Sequence, residues 1–206
     1  EGIDSVTWKE LNESKNKPLY NRPLKGLYSP ASTYKPFMAL AALELGMRTP
    51  SQSINDPGFF TLGTHTFRDE KRAGHGIVDM EKSIVESCDT YYYLLARDMG
   101  VNAMHDFMKP LGFGQKTGID LEGEATGILP STAWKKTAFK KPEQQKWFEG
   151  ETISLGIGQG YNSFSILQVA HALANVVNDG VVMKPHLVKA VEDPFTRKQK
   201  LTTPTE

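Results

Sequence analysis

Ser29-Pro30-Ala31-Ser32-Thr33-Tyr34-Lys35-Pro36 runs directly into the apolar segment Phe37-Met38-Ala39-Leu40-Ala41-Ala42-Leu43-Glu44-Leu45. The apolar run and the glycine at Gly46 predict a helix over residues 32–45. Pro36 fits it because a first-turn residue has no intrahelical N–H partner to lose. Ser32 and Lys35 then lie three apart, on one face and one turn from each other. A serine hydroxyl is a poor nucleophile until a neighbouring base takes its proton, and a lysine desolvated against apolar surface can be that base. A helix-capping serine followed by a solvated lysine would show the same letters. Ser14-Lys15-Asn16-Lys17 repeats the pattern in a polar run with no apolar helix behind it. The spacing alone leaves both readings open.

The composition narrows the choice. The chain has 206 residues, 39% of them apolar and 23% charged, as expected of a soluble globular protein with one large domain or two small ones. Lys+Arg and Asp+Glu both total 24, so there is no basic footprint and no nucleic-acid partner is expected. The lysines at 135, 136, 140, 141 and 146 read as a solvated helix face. No apolar run reaches the length of a membrane span, and no signal-peptide pattern opens the chain. The single cysteine, Cys88, excludes an intrachain disulfide without fixing the redox compartment.

Along the chain, a short helix is expected at 5–12, then a loop punctuated by Pro18, Asn21, Pro23 and Gly26. Residues 49–78 carry no helical period and six Pro or Gly residues. A connection this long inside a compact domain points to function. Phe59-Phe60-Thr61-Leu62 and His65-Thr66-Phe67-Arg68 can pair as strands around Gly63-Thr64. Helical signals return at 79–86, where Asp79 can cap, then at 90–99, 101–111, 131–139 and 142–148, with Trp134 and Trp147 as packing anchors. Leu155-Gly156-Ile157-Gly158-Gln159-Gly160 is a glycine-dense turn, residues 163–177 a strongly periodic helix, and 181–183 and 186–191 read as strands. The class is α+β.

A second serine cluster, Ser87-Cys88-Asp89, falls between two helices. A serine there can relay a proton between nucleophile and leaving group; an ordinary helix break with an aspartate cap explains the same residues. The ensemble is more specific. Ser32-Thr33-Tyr34-Lys35-Pro36, then Ser87-Cys88-Asp89-Thr90-Tyr91-Tyr92-Tyr93, Gly118-Ile119-Asp120-Leu121-Glu122-Gly123-Glu124 and Ile157-Gly158-Gln159-Gly160-Tyr161 resemble, in order, the penicillin-binding transpeptidases. Aspartate in the second motif, with Asn21-Arg22-Pro23-Leu24-Lys25-Gly26-Leu27-Tyr28 ahead of the serine, is similar to the penicillin-binding protein 2 subfamily, the class B enzymes of rod elongation.

That resemblance implies an α+β fold shared with serine β-lactamases, with residues 1–206 forming part of a transpeptidase domain, mainly its helical part with an incomplete central sheet. It implies that Ser32 is acylated by a stem peptide or a β-lactam, Lys35 is the base, Ser87 shuttles the proton and Asp89 holds the second motif. The backbone N–H of Ser32 would supply part of an oxyanion hole. It also implies wall-elongation proteins as partners and a membrane-anchored parent on the periplasmic face of the bacterial inner membrane. Two departures accompany it. The family's third motif, Lys-Thr/Ser-Gly on a cleft strand, has one match here, Lys116-Thr117-Gly118, placed between a helix and the acidic loop and so read as a decoy. The true motif is expected to follow residue 206. A strand expected ahead of Ser5 is also missing.

Asp56, Asp69, His75 and Cys88 are four zinc-ligand types, with His65 in reserve. Their spacing is not that of a zinc finger, and a buried cysteine beside solvated loop carboxylates explains them equally. Mixed sites of this kind occur in some relatives of the subfamily, which keeps a structural zinc open; the chemistry itself needs no cofactor. His105, His171 and His186 fit no triad, and Tyr91-Tyr92-Tyr93 reads as core. Two other functions share the motifs: a serine β-lactamase or β-lactam sensor, disfavoured because no glutamate is arranged as a deacylating base, and a non-catalytic wall-synthesis scaffold.

Overall fold

A computed structural model describes residues 2–205. Helix α1 (Ser5–Glu13) opens on Asp4, whose carboxylate accepts from Val6 N and Thr7 N. The stretch expected as loop contains a short helix, α2 (Arg22–Lys25), because Asn21 caps it and Pro23 fits its first turn. The helix predicted at 32–45 forms in two parts. A 3₁₀ turn, Ala31–Tyr34, carries Ser32 and passes into α3 (Lys35–Glu44), which puts Lys35, Phe37, Met38, Ala39, Ala41 and Ala42 in the interior.

Residues 49–78 are more ordered than their composition suggests. Strands β2 (Phe59–Leu62) and β3 (His65–Arg68) pair antiparallel around Gly63-Thr64, as the alternation predicts. Strands β1 (Ile54–Asp56) and β4 (Gly76–Val78) also pair, Ile54 with Val78 and Asp56 with Gly76. That ladder closes the loop on itself. At three residues each, its strands are too short to show a period.

Asp79 caps α4 (Met80–Val85) through Lys82 N. Then follow α5 (Asp89–Met99) and α6 (Val101–Met108), the latter ending short of the expected 111. Helix α7 (Thr132–Ala138) is capped by Ser131. Helix α8 (Pro142–Gln145) stops before 148, and a helix unseen in the sequence, α9 (Glu149–Leu155), begins instead. Helix α10 (Ile166–Val177) starts at the Ser165 cap, later than expected. Residues 181–183 form no strand, and of 186–191 only the end enters β5 (Ala190–Glu192), paired with β6 (Gln199–Leu201). The described residues hold three two-stranded sheets, so the protein is α+β with helices dominant.

Helices α3, α5 and α6 meet in the core, where Met38, Cys88, Tyr92, Leu95 and Met108 are fully buried. Tyr91, Tyr92 and Tyr93 pack there, as read from sequence. Phe113, fully buried, lies 5.4 Å from Tyr34, 5.0 Å from Phe37 and 4.8 Å from Phe164, ring centre to ring centre. This aromatic group ties the start of α3 to the segment leading into α10. Phe113→Ala is expected to destabilise the fold by about 3–5 kcal/mol, measured by urea denaturation.

Candidate active site

Ser32, Lys35, Ser87 and Asp89 converge, although 55 residues separate the two serines. Ser32 is exposed and Lys35 is 1% exposed. Lys35 Nζ donates to Ser87 O at 2.5 Å, Ser87 Oγ at 2.9 Å and Asp89 Oδ1 at 2.6 Å, which engages all three protons of its ammonium. Ser87 Oγ lies 2.9 Å from Ser32 Oγ. Ser87 is thus the link between Lys35 and Ser32. Its backbone is left-handed, with φ 55°, which turns the carbonyl toward Lys35.

Asp89 is not the helix cap of the plain reading. Cys88 holds the cap position, and Asp89 sits in the first turn of α5, aimed at Lys35. Burial raises the Asp89 carboxyl, and the Lys35 ammonium beside it pulls the other way without overcoming that rise. The first residues of α3 and α5 therefore face each other across a buried ion pair. Lys116-Thr117-Gly118 lies in irregular backbone, where the amides of Thr117 and Gly118 donate to Glu124. It is on no strand.

Asp56, Asp69, His75 and Cys88 are brought together as well. All four are buried, with one ligand atom from each within 4.8 Å of the others. The alternative of solvated carboxylates therefore fails: Asp56 is 2% and Asp69 4% exposed. His75 Nδ1 is 2.7 Å from Asp56 Oδ2 and 3.6 Å from Asp69 Oδ1, and Cys88 Sγ is 3.5 Å from an oxygen of each aspartate. The β1–β4 ladder brings Asp56 to His75, and Thr90 N fixes Asp69 at the head of α5. His65, the reserve ligand, is exposed on β3 against Phe67 and outside the group.

Burial works to raise Asp56, but hydrogen bonds from His75 and the Gly58 amide, among others, outweigh it and bring the carboxyl to about 2. Burial also pushes the Cys88 thiol up, and the Asp69 and Asp56 carboxylates beside it add to the rise. Sulfur, nitrogen and two oxygens within this span are a donor set that fits zinc.

The sequence reading missed a further buried charge. Lys135, taken for part of a solvated face, is 3% exposed and ion-paired to Glu151. Its ammonium lies 5.4–5.8 Å from the ring centres of Phe139, Trp147, Phe148 and Tyr161. Lys136, Lys140, Lys141 and Lys146 are exposed as expected. Sixteen residues separate Lys135 from Glu151, with no local pattern to announce the pair; the crowd of aromatics after 133 was the available signal.

Known proteins resemble the chain in sequence and in fold. Residues 6–206 match the penicillin-binding protein transpeptidase domain. The chain belongs to that family. It is 45% identical to the peptidoglycan D,D-transpeptidase MrdA of Haemophilus influenzae over 194 residues, covering 93% of this chain and 29% of that relative. Its fold superposes on penicillin-binding protein 2 of Pseudomonas aeruginosa, solved in complex with WCK 5153, with TM-score 0.86 and 42% identity over 97% of this chain and 46% of that one. Penicillin-binding protein 2 of Helicobacter pylori, solved in complex with MreC, gives TM-score 0.83 and 32% identity over 97% of this chain and 36% of that one. The chain thus spans less than a third of the curated relative's length, and its fold is the helical part of the domain with an incomplete sheet.

Proposed function

We propose that the chain carries the nucleophile half of a peptidoglycan D,D-transpeptidase site. The contact that carries this reading is the chain Lys35 Nζ, Ser87 Oγ, Ser32 Oγ, each step 2.9 Å. Ser32 Oγ attacks the penultimate D-Ala carbonyl of a stem peptide, a C–O bond forms, and the C–N bond to the terminal D-Ala breaks. The serine proton passes to Ser87 while the Ser87 proton passes toward Lys35, and the same relay returns a proton to the departing amine. Lys35 is freed to accept by passing a proton to the Asp89 carboxylate it touches at 2.6 Å. The ester is then taken by an amino group of a neighbouring stem peptide, completing a cross-link. A β-lactam carbonyl enters the first half of this path and stops at the ester.

Stem peptides, β-lactams and proteins of the wall-elongation complex are the partners this reading implies, with the parent on the periplasmic face of the inner membrane. The MrdA likeness and the MreC-bound relative support it. Among the described residues no helix is long and apolar enough to cross a membrane. Asp56, Asp69, His75 and Cys88 would hold a structural zinc, with four protein ligands and no open position. Held by these residues, an ion would offset the carboxylate charge and tie the 49–78 loop to the head of α5. The reaction itself requires no cofactor.

Labelling of the full-length protein with a fluorescent penicillin tests the reaction. Stable label on the unmutated protein and none on Ser32→Ala is expected. Label that appears and is then released by turnover would indicate a β-lactamase, and no label at all a non-catalytic scaffold.

A further inference from the structure

Ala31, the residue before the nucleophile, has a left-handed backbone with φ 50°, a conformation its Cβ disfavours. It stays there because a neighbouring segment holds it. Residues 155–164 run beside residues 28–31. Tyr28 and Phe164 exchange backbone hydrogen bonds at 2.9 Å, Ser29 Oγ donates to Asn162 O at 3.3 Å, and Ala31 N donates to Gly158 O at 3.1 Å. Gly158, itself at φ 69°, approaches so closely that a Cβ there would lie 2.4 Å from Ala31 O and 2.8 Å from Tyr34 Cβ. At the other end a Cβ on Gly156 would meet Tyr92 O at 2.4 Å, so the same segment is seated against α5. Leu155 O accepts from Gly158 N at 3.0 Å and from buried Asn162 Nδ2 at 3.1 Å, which closes the turn on its base.

We propose that the 155–162 turn is a splint between the two catalytic motifs, with Gly158 and Asn162 as positioning residues that hold Ala31 and so aim Ser32 Oγ. The inference rests on the acyl-enzyme reading above. The splint runs from α5, whose first residue is Asp89, to the turn that bears Ser32. It thereby maintains the 2.9 Å separation of Ser32 and Ser87. Without it Ala31 relaxes to right-handed or extended backbone, and Ser32 Oγ swings off the relay while the binding surface is unchanged.

The test is stopped-flow acylation of the full-length protein by a fluorescent penicillin, which resolves the affinity of the non-covalent complex, the acylation rate constant and the final fraction labelled. Gly158→Ala is expected to lower the rate constant about 100-fold, the cost of a misplacement near 1 Å. Asn162→Ala, which adds no atoms, is expected to lower it roughly tenfold by the same mechanism. Affinity and final fraction labelled stay at their original values in both. A purely structural role would do the reverse, reducing the fraction labelled while the remainder reacts at the normal rate; that result, or normal rate and fraction in both variants, overturns the splint. If Gly158→Ala does not fold, Asn162→Ala decides alone. Absence of label on Ser32 in the unmutated protein overturns the acyl-enzyme reading and the splint with it, whereas failure of the splint alone leaves unmutated labelling intact.

Discussion

Lys35→Met is expected to slow acylation of Ser32 by about a thousandfold and to destabilise the fold by about 3 kcal/mol. The two effects have different causes and can be separated. Methionine fills much of the same apolar volume, so packing is largely kept at a position that is 1% exposed. What disappears is the ammonium that touches Ser87 O, Ser87 Oγ and Asp89 Oδ1. Rate falls because Ser87 has nowhere to pass the serine proton. Stability falls because Asp89, with a side chain only 17% exposed, keeps a charge whose partner is gone. Adding Asp89→Asn removes that orphaned charge. The double variant should regain most of the stability in urea denaturation while its labelling with fluorescent penicillin stays as slow as in Lys35→Met. Labelling of Lys35→Met at the original rate would remove Lys35 from the chemistry.

Purified protein is expected to carry close to one zinc per chain, and Cys88→Ser to carry almost none. A site filled a thousandfold above its Kd contributes about 4 kcal/mol, roughly 10 °C in Tm for a chain of this size. The loss should appear equally on chelation of the unmutated protein, and chelator should have no further effect on Cys88→Ser. The expectation follows from charge. The Cys88 thiol, 3.5 Å from an oxygen of each of two buried carboxylates, cannot ionise beside them unless a cation is present. Because Thr90 N donates to Asp69 and Cys88 directly precedes α5, loss of the ion would loosen the head of α5, where Asp89 begins. His75→Ala should behave as Cys88→Ser does. Zinc content unchanged by either substitution would exclude this group as the site.

The local features of the site were legible. Ser32 and Lys35 share a face because they are one turn apart, and the apolar run behind them distinguishes the pair from Ser14 and Lys17. The β2–β3 hairpin was legible from two alternating runs around a two-residue turn, and the Asp79 cap from its place before an apolar turn. Helix α9 was not, because Glu149-Gly150-Glu151 at its start reads as a loop; its first turn is held instead by Glu151, which accepts from Phe148 N and pairs with Lys135.

Sequence by itself determined most of the helices and the β2–β3 hairpin, the pairing of Ser32 with its neighbouring lysine, and the order of motifs that marks the family. All of these rest on contacts within one turn or one hairpin, where residue type and spacing suffice. Tertiary structure alone decided how the motifs meet: that Ser87, not Lys35, touches Ser32, that Asp89 points into an ion pair and does not cap a helix, and that the Gly158 turn reaches Ala31. It also gathered Asp56, Asp69 and His75 of a long loop against Cys88 at the head of α5 and buried Lys135 against Glu151. The physical reason is common to them. Each contact joins residues far apart in the chain, so no local period encodes it; it exists only where packing of α3, α5 and α9 removes water and leaves the charged groups to find one another.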